Sequence, residues 1–142
     1  VILLLGTVMG MDSPCNASTP IVLTVDEVAE IIEQNGSSYL AAYADTQVLS
    51  IRGESLTDWF DRLGEKVRLV RFTDGNYNGY RIWGKGVLPA EKLAEEIYRT
   101  GFNGLISFQI PGERYCENPK DAQKQNHFRA LSAWREVMDC QR

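Results

Sequence analysis

Arg71, Asp74, Arg81 and Lys85 fall close together around the apolar run Val67–Thr73 and the glycine-rich loop that ends in Trp83-Gly84-Lys85-Gly86. Groups that bind and react in α/β proteins sit at the carboxyl ends of strands. A strand ending here offers Arg71, Asp74 and Arg81 to a ligand. The Arg71 guanidinium suits a phosphate or carboxylate. The backbone amides of the Gly84-x-Gly86 turn, flanked by Arg81 and Lys85, could hold an anion; solvated loop charge is the plainer reading. Trp83 could stack on a sugar ring or pack in a core or interface. His127, the single histidine, lies on a late helical segment away from any strand end. It reads as a surface or packing residue, because no Ser/His/Asp or Cys/His set assembles around it.

The elements that position these groups follow one rhythm. Val1–Thr7 is a continuous aliphatic run, as expected of a strand buried on both faces. Thr24 and Glu27 form a capping box before a helix with Val25, Val28, Ile31 and Ile32 inward and Gly36 as its stop. Tyr39–Thr46 reads as a second strand interrupted by Asp45. Ser55 and Asp58 cap a helix with Leu56, Trp59, Phe60 and Leu63 inward. Val67–Thr73 is the third strand. Pro89 sits at a first-turn position ahead of Leu93, Ala94, Ile97 and Tyr98. Leu105–Ile110 is the fourth strand, with Gln109 near its end. Asn118-Pro119 opens a last helix whose Phe128, Leu131 and Met138 recur at helical spacing.

Strand–helix units starting near residues 1, 39, 67 and 105 are spaced for parallel pairing. They predict an α/β fold of four βα units, half of an eight-fold barrel, in a single domain over residues 1–142. A small open sheet wound on both faces is the alternative. A half-barrel exposes its inner sheet face and two strand edges, so a second copy or another partner is expected to cover them.

Composition bounds the function. With 44% hydrophobic and 24% charged residues, a net charge of −4 and scattered Lys and Arg, the chain carries no footprint for nucleic acid. Cys15, Cys116 and Cys140 are odd in number and lack metal-ligand spacing, which predicts reduced thiols and a cytoplasmic setting. The opening Val1-Ile2-Leu3-Leu4-Leu5 has no basic flank and is far shorter than the roughly 20 apolar residues of a membrane helix, so no membrane role is expected. Starting inside an apolar run without Met suggests a chain cut, processed or incompletely represented at its N-terminus. Asn16-Ala17-Ser18 and Asn35-Gly36-Ser37 match the glycosylation pattern, which means nothing without secretion.

Several short stretches, in order, carry a resemblance: Leu63-Gly64-Glu65-Lys66-Val67-Arg68, Asp74-Gly75, Ile82-Trp83-Gly84-Lys85-Gly86, Gly101-Phe102-Asn103-Gly104 and Glu117-Asn118-Pro119. Together they resemble the C-terminal half, strands five to eight, of the xylose isomerase-like barrel family of sugar-phosphate isomerases and ketose 3-epimerases. The resemblance implies one divalent metal (Mn, Co or Mg), held by Glu, Asp, His and Glu from the four strand ends, with the two glutamates moving a proton. Carried over by position, those ligands fall on Gly6, Asp45, Arg71 and Gln109, so only Asp45 is retained.

Glycine has no side chain, guanidinium repels a cation and a neutral amide is a poor base. Metal-dependent chemistry is therefore not expected of this chain, and no cofactor is. Arg71 is expected either to plug the metal position by pairing with Asp45, Gln109 taking a remaining donor, or to anchor a phosphate or carboxylate. Asp45 is then a relic ligand in an ion pair, or part of a pocket. The expected function is a sugar isomerase/epimerase-like domain with a degenerate site that could still hold a sugar or sugar phosphate at Asp45, Arg71, Asp74, Arg81, Trp83 and Lys85. The alternatives are an assembly module, pairing with a second copy or a separate N-terminal half, and an enzyme active only when the missing half completes it.

Overall fold

The structure, a computed structural model, describes residues 1–7, 22 and 24–140. The first sequon and Cys15 lie outside these residues. Four parallel strands form one sheet in the order β1 (Leu3–Leu5), β2 (Leu40–Asp45), β3 (Val67–Arg71) and β6 (Leu105–Ser107). Strands that are sequential in the βα rhythm are neighbours in space, which is the order of a barrel wall. Each strand is shorter than its apolar run suggests, because pairing stops where the partner strand ends.

Helices α1 (Val25–Asn35), α3 (Leu56–Leu63), α4 (Ala90–Arg99) and α5 (Pro119–Cys140) follow the strands. The expected capping boxes at Thr24/Glu27 and Ser55/Asp58 are both formed. These helices pack on one face of the sheet, where Ala42, Ala44, Val67, Val70 and Phe72 meet Val28, Ile32, Leu56, Trp59, Ala94, Ile97, Ala130 and Ala133. Small residues on β2 let the helices approach closely. Side chains alternate along a strand, so Leu4, Ala41, Tyr43, Leu69, Arg71, Leu105 and Ser107 line the opposite face, the inside of the barrel.

Two elements were not evident from the sequence. Helix α2 (Thr46–Arg52) starts directly from the end of β2, with Asp45 as its cap and Gly53 as its left-handed stop. A hairpin of β4 (Asp74–Asn76) and β5 (Gly79–Arg81) occupies what reads as loop. Pro89 caps α4 rather than filling its first turn.

Several residues expected in helix cores are not there. Ile31 and Tyr98 are exposed, as are Phe128 and Met138 of α5, at 71% and 54%. The buried stripe of α5 is Ala122, Asn126, Ala130, Ala133 and Val137. Small side chains win that face because α5 lies close against α4 and the sheet.

Candidate functional site

The carboxyl ends of the four strands converge on the inner face, and Gly6, Tyr43, Asp45 and Arg71 meet there. Gly6 follows β1, beside Tyr43 in the register set by the pairing of Leu5 with Ala42. A Cβ at Gly6 would lie 2.6 Å from Cε1 and Cζ of the Tyr43 ring and 2.8 Å from the Tyr43 carbonyl oxygen. Glycine is thus required because the tyrosine ring lies across it. The Arg71 guanidinium carbon stands 4.5 Å from the centroid of that ring, a cation–π contact. Glycine, ring and guanidinium form one stack across three strand ends. Burial raises the Tyr43 phenol above its ordinary pKa, with the Arg71 charge opposing.

Asp45 is buried and its carboxylate is committed to the fold. Oδ1 accepts from the amides of Gln47 (3.1 Å) and Val48 (3.3 Å), capping α2, and from Thr73 Oγ1 at 2.9 Å. Oδ2 accepts the Tyr80 hydroxyl at 2.9 Å. Burial pushes the Asp45 carboxyl up, against the pull of the Tyr80 and Thr73 hydroxyls, the Val48 amide and the Arg71 charge. Tyr80 is driven far above an ordinary phenol, by burial first and then by the Asp45 charge. It stays a neutral donor at every physiological pH.

The expected plug is therefore corrected. Arg71 forms no ion pair with Asp45 among the described residues; its guanidinium lies on Tyr43, and hydroxyls and amides satisfy the carboxylate instead. Gln109 is exposed, beyond the end of β6, and supplies no such bond.

Asp74 is also a structural acceptor rather than a free ligand group. Its Oδ1 accepts from the amides of Gly75 (2.7 Å) and Leu88 (3.0 Å), and its Oδ2 from those of Gly84 (3.0 Å) and Gly86 (2.9 Å). The amides proposed to cradle an anion in the Gly84-x-Gly86 turn already hold this carboxylate. Trp83 cannot stack on a sugar: it is buried, its ring centroid 4.4 Å from that of Phe72, and its Nε1 donates to the Phe72 carbonyl. Arg81 donates to the carbonyls of Asn78 and Tyr80, and Lys85 is exposed. His127 lies exposed on α5 with its ring edge-on to Phe108, as read. The sequence reading missed Tyr43 and Tyr80. The signal for Tyr43 was the only aromatic within the small-residue run of β2.

This donor set does not fit a divalent ion. The four positions offer a hydrogen atom under a tyrosine ring, a carboxylate holding four donors, a cation and a solvated amide. No group of three or more His, Cys, Asp or Glu side chains able to hold a metal occurs among the described residues.

No protein-family model matches the chain. Over 131 residues, 87% of this chain, it is 26% identical to fructoselysine 3-epimerase of Escherichia coli O157:H7 and equally to that of Shigella flexneri. A structure of L-ribulose 3-epimerase superposes with a TM-score of 0.65 at 12% identity, over 85% of this chain and 45% of that one. The chain is thus similar to proteins named as 3-epimerases. The chain spans about half the length of the curated relatives it matches, 47%. D-psicose 3-epimerase with D-tagatose from Clostridium cellulolyticum H10 gives a TM-score of 0.54 at 17% identity, covering 82% of this chain and 43% of that one. Such distant structural likeness speaks for the fold, a parallel α/β half of such a barrel. No helix among the described residues is long and apolar enough to cross a membrane.

Proposed function

We propose that this chain is a sugar-epimerase-like half-barrel, matching the C-terminal half of its relatives, whose strand ends have exchanged metal-dependent chemistry for a fixed cationic surface. The stack of Gly6, Tyr43 and Arg71 carries this reading. It fills the space above one strand end with an aromatic ring and sets a permanent positive charge over the next. The Arg71 guanidinium, at the strand ends over Tyr43, suits a sugar phosphate or another anionic polyol. Proton transfer at a carbon beside a carbonyl needs a positioned base, and Gln109 is not one.

The test is an epimerase assay of the full chain with Mn²⁺, Co²⁺ or Mg²⁺, on fructoselysine, L-ribulose and D-psicose, beside thermal shifts with ketoses and sugar phosphates. The expected outcome is no turnover, no stabilisation by metal, and a metal-independent rise in melting temperature with a sugar phosphate that Arg71→Ala abolishes. Turnover that depends on added Mn²⁺ would refute the loss of chemistry. A flat response to every sugar would remove the binding role.

A further inference from the structure

Register on the inner face sets Ser107 beside Arg71. The two residues are paired across the parallel strands β3 and β6, and residues paired in this way point to the same face of a sheet. Strand β3 lies between β2 and β6, so Arg71 stands within the sheet rather than on its edge. Both residues are half-buried. The Ser107 carbonyl accepts the Phe72 amide at 2.8 Å, which fixes the backbone and leaves the hydroxyl to turn. That hydroxyl is bonded to none of the described residues.

Arg71 is held but not satisfied. The Tyr43 ring supports its guanidinium at 4.5 Å. A ring attracts a cation through its quadrupole and leaves the planar fork of N–H donors to other acceptors. Asp45, paired with Arg71 across β2 and β3, already holds four donors and forms no ion pair with it. A guanidinium drawn partly out of water gains from an acceptor of its own.

We propose that Arg71 and Ser107 form a subsite for the phosphate of a phosphorylated sugar, the guanidinium fork taking two of its oxygens and the Ser107 hydroxyl a third. Shape decides for phosphate. A carboxylate presents two oxygens in one plane, which a single guanidinium fork occupies. A phosphate monoester presents three terminal oxygens around a tetrahedron. A donor one strand spacing away, about 4.8 Å, can serve the oxygen that the fork leaves. The amides of the glycine turn do not compete for the anion, because Asp74 holds them. This inference rests on the reading of the strand ends as an anion site, and adds to it a second contact and the class of anion.

The test is calorimetric titration of the full chain at fixed ionic strength with D-fructose 6-phosphate, D-gluconate and D-fructose. Wild type is compared with Ser107→Ala, Ser107→Thr and Arg71→Ala. Ser107→Ala is expected to weaken the sugar phosphate about tenfold, the loss of one bond to a charged group. Ser107→Thr, which keeps a hydroxyl, is expected to restore it. D-gluconate should bind more weakly and be indifferent to Ser107, while Arg71→Ala weakens both anions. Equal melting temperatures of wild type and the serine variants would place the change in binding rather than in folding. Ser107→Ala binding the sugar phosphate as tightly as wild type, with Arg71→Ala still weaker, would overturn this inference and leave the anion site standing. An equal loss for D-fructose would assign the serine to a sugar hydroxyl and overturn the phosphate subsite. A wild type that binds none of the three would overturn both readings.

Discussion

Asp45 shows what one side chain can be asked to do. Its carboxylate is at once the last residue of β2, the cap of α2 and the acceptor for Thr73 and Tyr80. Burial raises its pKa above the unfolded value of ~3.9, so the native state holds its proton to higher pH than the unfolded chain. The sign follows from linkage: the stability Asp45 contributes is greatest below the unfolded pKa and declines as pH rises through the raised folded value. Glu33 and Asp58 work oppositely. The Arg62 hydrogen bond lowers the first and the Ser55 bonds lower the second, so their contributions are lost as pH falls. Asp45→Asn keeps a capping oxygen and leaves Glu33 and Asp58 untouched. Urea unfolding from pH 4 to 7 should therefore show the variant gaining on wild type as pH rises, then levelling. A difference that shrinks with pH would contradict the burial account. The sequence marked Asp45 as special but assigned it the wrong companion. Position alone could not show that Thr73 and Tyr80, not Arg71, satisfy it.

At the scale of elements, Asp74 decides the form of the glycine loop. Four backbone amides from Gly75 to Leu88 converge on one carboxylate, tying the β4–β5 hairpin to the approach to α4. Gly86 is held to glycine by this geometry, since a Cβ there would meet the Asp74 carboxyl carbon at 2.5 Å. Removing the acceptor orphans all four amides, and bonds to a charged partner contribute ~1.5–3 kcal/mol each before relaxation. Asp74→Ala is expected to cost ~3–5 kcal/mol in urea unfolding, at the severe end for one substitution. Asp74→Asn, which keeps one acceptor oxygen, should cost less. A loss under ~0.5 kcal/mol for the alanine variant, within the range of ordinary surface changes, would mean that the loop is held by something else. The caps of α1 and α3 were legible because a capping box is local in sequence. Helix α2 was not, because its cap is disguised as the end of a strand. The hairpin escaped notice because three-residue strands carry too little periodicity to register.

For the whole molecule, the repeat of four βα units was legible, since each strand is an apolar run followed by a helix with one apolar face. What lies beyond the flanks was not, because an exposed Leu105 or Phe128 looks in sequence like any core residue. The strand-end face is held by Tyr43, whose ring lies across Gly6 and under the Arg71 guanidinium. That ring links three neighbouring strands, so removing it should loosen the sheet as a whole rather than one element. Truncating a large buried aromatic costs ~3–5 kcal/mol, and this ring is only half-buried, so Tyr43→Ala is expected to cost ~2–3 kcal/mol in urea unfolding. Tyr43→Phe, which keeps the ring, should cost far less. An alanine variant as stable as wild type would mean that the sheet does not depend on the stack.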